Sequence, residues 1–201
     1  MKQISILDRI LLLATGLLAA YQIIVGVEGA STLAQTSFTI TFGVLLVAGL
    51  LLIILGFEAL DSPVVVIVST LIPLSLSIGL VTKYFAEFTI PYLIFAIVGL
   101  LAIIITRYKT PGKAAVMVLM VVHGISGLLI FSLPIVLALR GVTNGGFALV
   151  GVGGGLIGIG GMLLSFLKAG KPILSRDIIL TVLPGLLLLM TAAFVAGFAL
   201  G

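Results

Sequence analysis

Long apolar stretches separated by short polar breaks dominate the pattern along the chain. Seven stretches lie at 9–27, 37–57, 63–82, 89–106, 114–139, 146–167 and 178–200. Each is near the roughly 20 apolar residues that a helix needs to cross a hydrocarbon core about 30 Å thick. No helical stripe stands out within them, because they are apolar around the whole circumference, as membrane spans are. The breaks fall at Glu28-Gly29, Glu58 to Asp61-Ser62-Pro63, Lys83 to Glu87, Arg107 to Gly112, Arg140 to Gly145 and Lys168 to Asp177. Each joins charge to a Gly, Pro, Ser or Asn breaker, except Lys83 to Glu87, which has charges and aromatics. The first stretch follows Lys2 and Arg9 and runs on through Val25. That exceeds the roughly 7–15 residues of a signal-peptide core, so it reads as a retained helix. The pattern predicts an all-α integral membrane protein, a single membrane domain over 1–201.

Composition moves the same way. Hydrophobic residues make up 62% of the chain and charged ones 8%, with a mean hydropathy of +1.49. A soluble domain carries about 25% charged residues, so lipid must be the solvent for most of this surface. The net charge of +4 is spread over loops and not gathered into a patch, which argues against a nucleic-acid partner. With the N-terminus inside, the inner loops hold Lys2, Arg9, Arg107, Lys109, Lys113, Lys168, Lys171 and Arg176, and the outer loops hold only Lys83 and Arg140. That asymmetry predicts an N-in, C-out topology, in a bacterial or archaeal cytoplasmic membrane. Tyr84, Phe85, Phe88, Tyr92 and Tyr108 flank two of the loops as interfacial anchors would.

Helices one to three resemble helices five to seven. Thr70 and Pro73 match Thr181 and Pro184, Pro63 matches Pro172, Phe38 matches Phe147, and Thr15-Gly16 matches His123-Gly124, at offsets of 108 to 111. An even number of helices separates equivalent elements, so two such halves point the same way, with the fourth helix as linker. This 3+1+3 plan of parallel repeats resembles that of the SWEET sugar carriers in arrangement alone. The Pro-Gln loop motif is absent and the prolines do not fall at that family's tetrad, so no site residue carries over.

The sixth helix concentrates glycine. Gly153-Gly154-Gly155-Leu156-Ile157-Gly158 matches a dinucleotide-binding GxGxxG in letters, but it lies inside an apolar span with no strand before it. The physical reading is helix packing: Gly151 and Gly155, like Gly154 and Gly158, are four apart and share a face that admits another backbone. His123, the single histidine, is a candidate ligand or polar contact within the fifth span. The alternative for it is a neutral imidazole bonded between helices, to Ser126 or a carbonyl. Tyr21 and Gln22 form the one bulky polar pair inside a span and are candidate solute contacts. Pro73, Pro134 and Pro184 interrupt the third, fifth and seventh helices and are candidate hinges, with Ser69, Ser132 and Thr181 near enough to bond freed carbonyls.

Every acidic and basic side chain falls at a predicted helix end or loop, so ion-coupled pumping and a retinal lysine find no residues. Glu58 and Asp61 make the one close acidic pair, on the inner rim. Without cysteine and with one histidine, disulfides, thiolate metals and multi-histidine sites are excluded. HExxH and GxSxG are absent. No catalytic, metal or cofactor residue is therefore predicted. Two functions fit: a noncatalytic membrane subunit or oligomerising scaffold, in a homo-oligomer or larger complex, and, as the alternative, a small facilitator-type transporter of a neutral or weakly polar solute.

Overall fold

A computed structural model describes residues 3–110, 112–168 and 173–201, and among them seven helices are long and apolar enough to cross a membrane. They are α1 (Ile6–Val25), α2 (Thr32–Leu55), α3 (Pro63–Tyr84), α4 (Thr89–Lys109), α5 (Lys113–Leu139), α6 (Ala148–Lys168) and α7 (Arg176–Leu200). Short 3-10 turns at Gly56–Asp61, Ala86–Phe88 and Gly145–Phe147 lead into α3, α4 and α6. Lys2, Lys171 and Pro172, used above for orientation and for the repeat, lie outside the described residues.

The helix starts are earlier than the apolar pattern predicts at α1 and α2, and capping explains both. Ser5 and Asp8 form a reciprocal capping box: the Asp8 N–H donates to Ser5 Oγ at 3.1 Å and the Ser5 N–H to Asp8 Oδ2 at 2.9 Å. Ser31 caps α2 by accepting from the Ala34 N–H at 3.4 Å, so the polar run Gln35-Thr36-Ser37 is helical. Thr36 and Ser37 stay helical because their hydroxyls donate to carbonyls one turn back, at 2.8 Å each. Two glutamines then fix the α1–α2 turn. Gln22 Nε2 donates to the Gly26 carbonyl at 2.6 Å, and Gln35 Oε1 accepts from the Val27 N–H at 2.9 Å. Gly26, at φ +68°, needs to be glycine twice over, since a Cβ there would lie 2.9 Å from Gln35 Nε2.

Neighbouring helices touch in a closed circuit: α1 with α2, α2 with α3, α3 with α5, α5 with α6, α6 with α7, and α7 with α1. The fourth helix packs chiefly against α3 and α5 and is the least buried span. One stripe of α4 is turned inward, Ala96, Gly99 and Ile103, at helical spacing. Its opposite face, including Ile90, Ile94, Ile97, Leu101 and Ile105, is exposed, as lipid-facing residues are.

Glycine sets the tightest helix contacts. A Cβ on Gly151 would lie 2.6 Å from the Phe131 carbonyl oxygen of α5, and one on Gly154 would lie 2.8 Å from the Ile130 carbonyl carbon. The other side of α6 meets α7: a Cβ on Gly153 would lie 2.5 Å from Phe194, and one on Gly197 would lie 2.6 Å from the Val150 nitrogen. Only Gly allows backbones this close. Of the face expected to pack, Gly151, Gly154 and Gly155 therefore meet α5 of the same chain, whereas Gly158 has nothing within 4 Å.

The proline-bearing helices α3, α5 and α7 run through Pro73, Pro134 and Pro184. Ser69, Ser132 and Thr181 donate to the carbonyls of Val66, Leu128 and Asp177 at 3.0, 2.7 and 2.6 Å. Those carbonyls belong to the turn behind each hydroxyl, not to the residue four before the proline, so the three hydroxyls do not bond the carbonyls that the prolines free.

Candidate functional site

Two cavities open at opposite ends of the helix circuit. The first, about 500 Å³, lies at the end where α1 begins and is lined by Phe57, Asp61, Pro63, Arg107, Leu164 and Arg176 among others. Its walls come from the α2–α3 connection and the start of α3 on one side. From the other side come the end of α6 and the start of α7, and Arg107 is added from α4. The second cavity, about 330 Å³, is lined by Glu28, Lys83, Tyr84, Asn144, Phe147 and Phe198 among others. Here the walls are the α1–α2 and α5–α6 connections and the ends of α3 and α7.

The bundle beside the second cavity is packed with aromatics. Phe38 of α2 meets Phe198 of α7 at 5.0 Å between ring centroids, Phe42 meets Phe194 edge-on at 6.5 Å, and Phe147 meets Tyr84 at 5.2 Å and Phe198 at 6.0 Å. Phe38, Phe42, Phe147 and Phe194 are fully buried. Leu76, Leu80 and Ile130 fill the space around them. Tilted and edge-on arrangements suit the ring quadrupoles, so the plug is a specific fit as well as an apolar one.

Polar contacts tie the ends. At the first cavity, Arg176 Nη2 donates to Asp61 Oδ2 at 2.9 Å, joining α7 to the turn before α3. Arg107 lies four residues beyond the buried Ile103, on the inward stripe of α4, and it lines the same cavity. Its Nε is buried with no hydrogen-bond partner. At the second cavity, Lys83 Nζ donates to the Glu28 carbonyl, and Asn144 Nδ2 donates to the Gly201 carbonyl at 3.4 Å. Deeper in the wall, Tyr92 of α4 donates to Ser77 of α3 at 2.7 Å and bonds Ser126 of α5 at 3.1 Å. Thr41 and Ser75 pair across α2 and α3 at 2.7 Å.

The residues singled out from sequence do not converge on one point. Tyr21 is half exposed on the outer face of α1, while the buried Gln22 is occupied in the turn, so the pair does not act together. His123 is partly buried, with Nδ1 enclosed and without a hydrogen-bond partner. Ser126, its expected partner, is engaged by Tyr92 instead. Neither cavity is lined by the histidine. Asp61 of the acidic pair with Glu58 is bonded to Arg176. The aromatic plug, Tyr92 and the inward turn of Arg107 were not anticipated. The signal for the last two was present: Tyr92, Ala96, Gly99, Ile103 and Arg107 recur at steps of three and four along α4, a row that mixes small and polar residues.

These features define a multi-pass α-helical membrane protein. Comparisons with known protein families, with curated proteins and with solved structures found no match to this chain.

Proposed function

We propose that this protein is a small facilitator-type transporter of a neutral or weakly polar solute, built of two parallel three-helix halves and a linker helix. One observation carries the reading: each cavity is walled by matching elements of α1–α3 and of α5–α7. The helix circuit supports it, because exchanging α1 with α5, α2 with α6 and α3 with α7 leaves the order of contacts unchanged. Both cavities then lie on the axis relating the halves, with the plug of Phe38, Phe42, Phe147, Phe194 and Phe198 closing the path between them. Pro73 and Pro184 sit at corresponding depths in α3 and α7 and supply bends about which the halves rock. The uneven Lys and Arg of the loops put the Arg107 cavity on the inside.

The reading as a noncatalytic subunit or oligomerising scaffold has less support. Of the glycines on the packing face, Gly151, Gly154 and Gly155 are covered by α5 of the same chain, and Gly158 has nothing within 4 Å. The test is solute entry into proteoliposomes, measured by light scattering with glycerol, urea and xylose. The native chain should exceed protein-free liposomes for at least one solute, and Phe198→Ala, which thins the plug, should raise that rate. Rates equal to protein-free liposomes for all three, in both proteins, overturn the proposal.

A further inference from the structure

The cavity at the α1-start end holds more positive charge than its own acid can neutralise. Asp61 is the acidic residue among those lining it, and Asp61 is already paired with Arg176 at 2.9 Å. Glu58, on the same turn, does not line it. Among the described residues Arg107 has no acidic partner, and it brings its guanidinium to the cavity. Its Nε is buried without a partner, an arrangement that favours an acceptor supplied from outside the chain. The first turns of α3, at Pro63 and Val66, and of α7, at Arg176 and Leu180, also face the cavity. Both add the positive end of a helix dipole to the same space. At about 500 Å³ the space admits a headgroup-sized ligand. Arg107 reaches it from near the end of α4, the least buried span.

We propose that this cavity is a binding site for a phosphoryl-bearing anion, held by Arg107 and bordered by the Asp61–Arg176 pair. Guanidinium presents planar paired donors that match phosphate oxygens, and a basic recess between spans at the inner surface is where anionic headgroups are held. The site does not depend on solute conduction and would exist equally in a non-conducting protein. The phosphoryl group can belong to an anionic lipid or to a soluble phosphate ester, and the experiment separates the two.

The full chain in detergent is titrated with phosphatidylglycerol, phosphatidylcholine and glycerol 3-phosphate, with bound species read by native mass spectrometry. Phosphatidylglycerol should be retained over phosphatidylcholine. Arg107→Gln should weaken retention roughly ten- to a hundredfold, the factor that follows from losing charge-assisted bonds. Arg107→Lys should fall between. Arg140→Gln removes the same charge at the opposite end and should change nothing. If glycerol 3-phosphate binds with the same dependence and displaces the lipid, the ligand is a soluble phosphate. If Arg140→Gln weakens retention as much as Arg107→Gln, or if the native chain retains neither phosphoryl ligand above phosphatidylcholine, the proposal is wrong. The native-chain comparison decides even where Arg107→Gln does not fold.

Discussion

Gly154→Ala and Gly158→Ala lie one turn apart on α6 and should have opposite effects. A Cβ on Gly154 would sit 2.7 Å from Ile130 Cγ2 and 2.8 Å from both the Ile130 carbonyl carbon and the Phe131 nitrogen. Carbon atoms rest about 3.5–4.0 Å apart, so α5 and α6 must separate by about 1 Å at this point. Two of the three obstructing atoms are backbone of a continuous 27-residue helix, which cannot yield locally. Overpacking of this kind costs about 1–3 kcal/mol. At Gly158 nothing lies within 4 Å, and exchanging Gly for Ala in a helix interior gains about 0.8–1 kcal/mol in water-based hosts. The two variants should therefore differ by about 2–4 kcal/mol, which corresponds to a gap in Tm of roughly 4–16 °C for a chain of this size. Thermal unfolding by circular dichroism in one detergent measures the gap, with light scattering recording the oligomeric state. Equal stabilities would refute the packing argument. A change of oligomeric state in Gly154→Ala without loss of stability would move the glycine contact to another subunit.

Three further outcomes follow from the geometry. Tyr92→Phe removes hydroxyl bonds to Ser77 and Ser126 at 2.7 and 3.1 Å. Interhelical bonds in membranes average about 0.6 kcal/mol and reach about 1.7, so the variant should lose roughly 0.5–2 kcal/mol in the same thermal assay, and a gain would contradict the role given to this network. Asp61→Asn should shift stability by less than about 1 kcal/mol, because both partners of the Asp61–Arg176 pair are largely exposed; a larger loss would mean that the pair ties the inner end together. The chain has no cysteine, so topology can be read without a background: in intact cells a membrane-impermeant maleimide should label Val142→Cys and spare Thr110→Cys, and the reverse labelling would invert the proposed orientation.

The spans were legible because length and apolarity alone decide them, and the breaks at Glu28-Gly29 and Arg140 to Gly145 stand out against any apolar background. The helix starts at Ser5 and Ser31 were less so: the apolar count begins only where polar capping residues end, so it clips the first turn. Neighbour relations were not legible. Gly154 reads as a packing position, yet nothing in the letters says whether α5 or another subunit fills it. His123 illustrates the same gap, since its supposed partner Ser126 could be assigned elsewhere only by the approach of Tyr92 from α4.

Lipid as solvent explains both the failure and its remedy. In water the apolar face of a helix marks the protein side. Here the relation is reversed on α1, where Thr15, Gly16, Ala19 and Gln22 are buried while Ile10, Leu13, Leu17 and Ile24 are exposed. Apolar side chains gain nothing by leaving lipid for protein, so the inward face is chosen by small residues that permit close approach and by polar groups that need partners. The stripe to search for is therefore small or hydroxyl-bearing at steps of three and four. On α4 that search begins at Tyr92, passes Ala96 and Gly99, and continues through Ile103 to Arg107. The same rule that places Tyr92 in the hydroxyl network thus turns Arg107 toward the cavity and away from bulk water. A loop cation counted for orientation becomes the residue on which the proposed phosphoryl site depends.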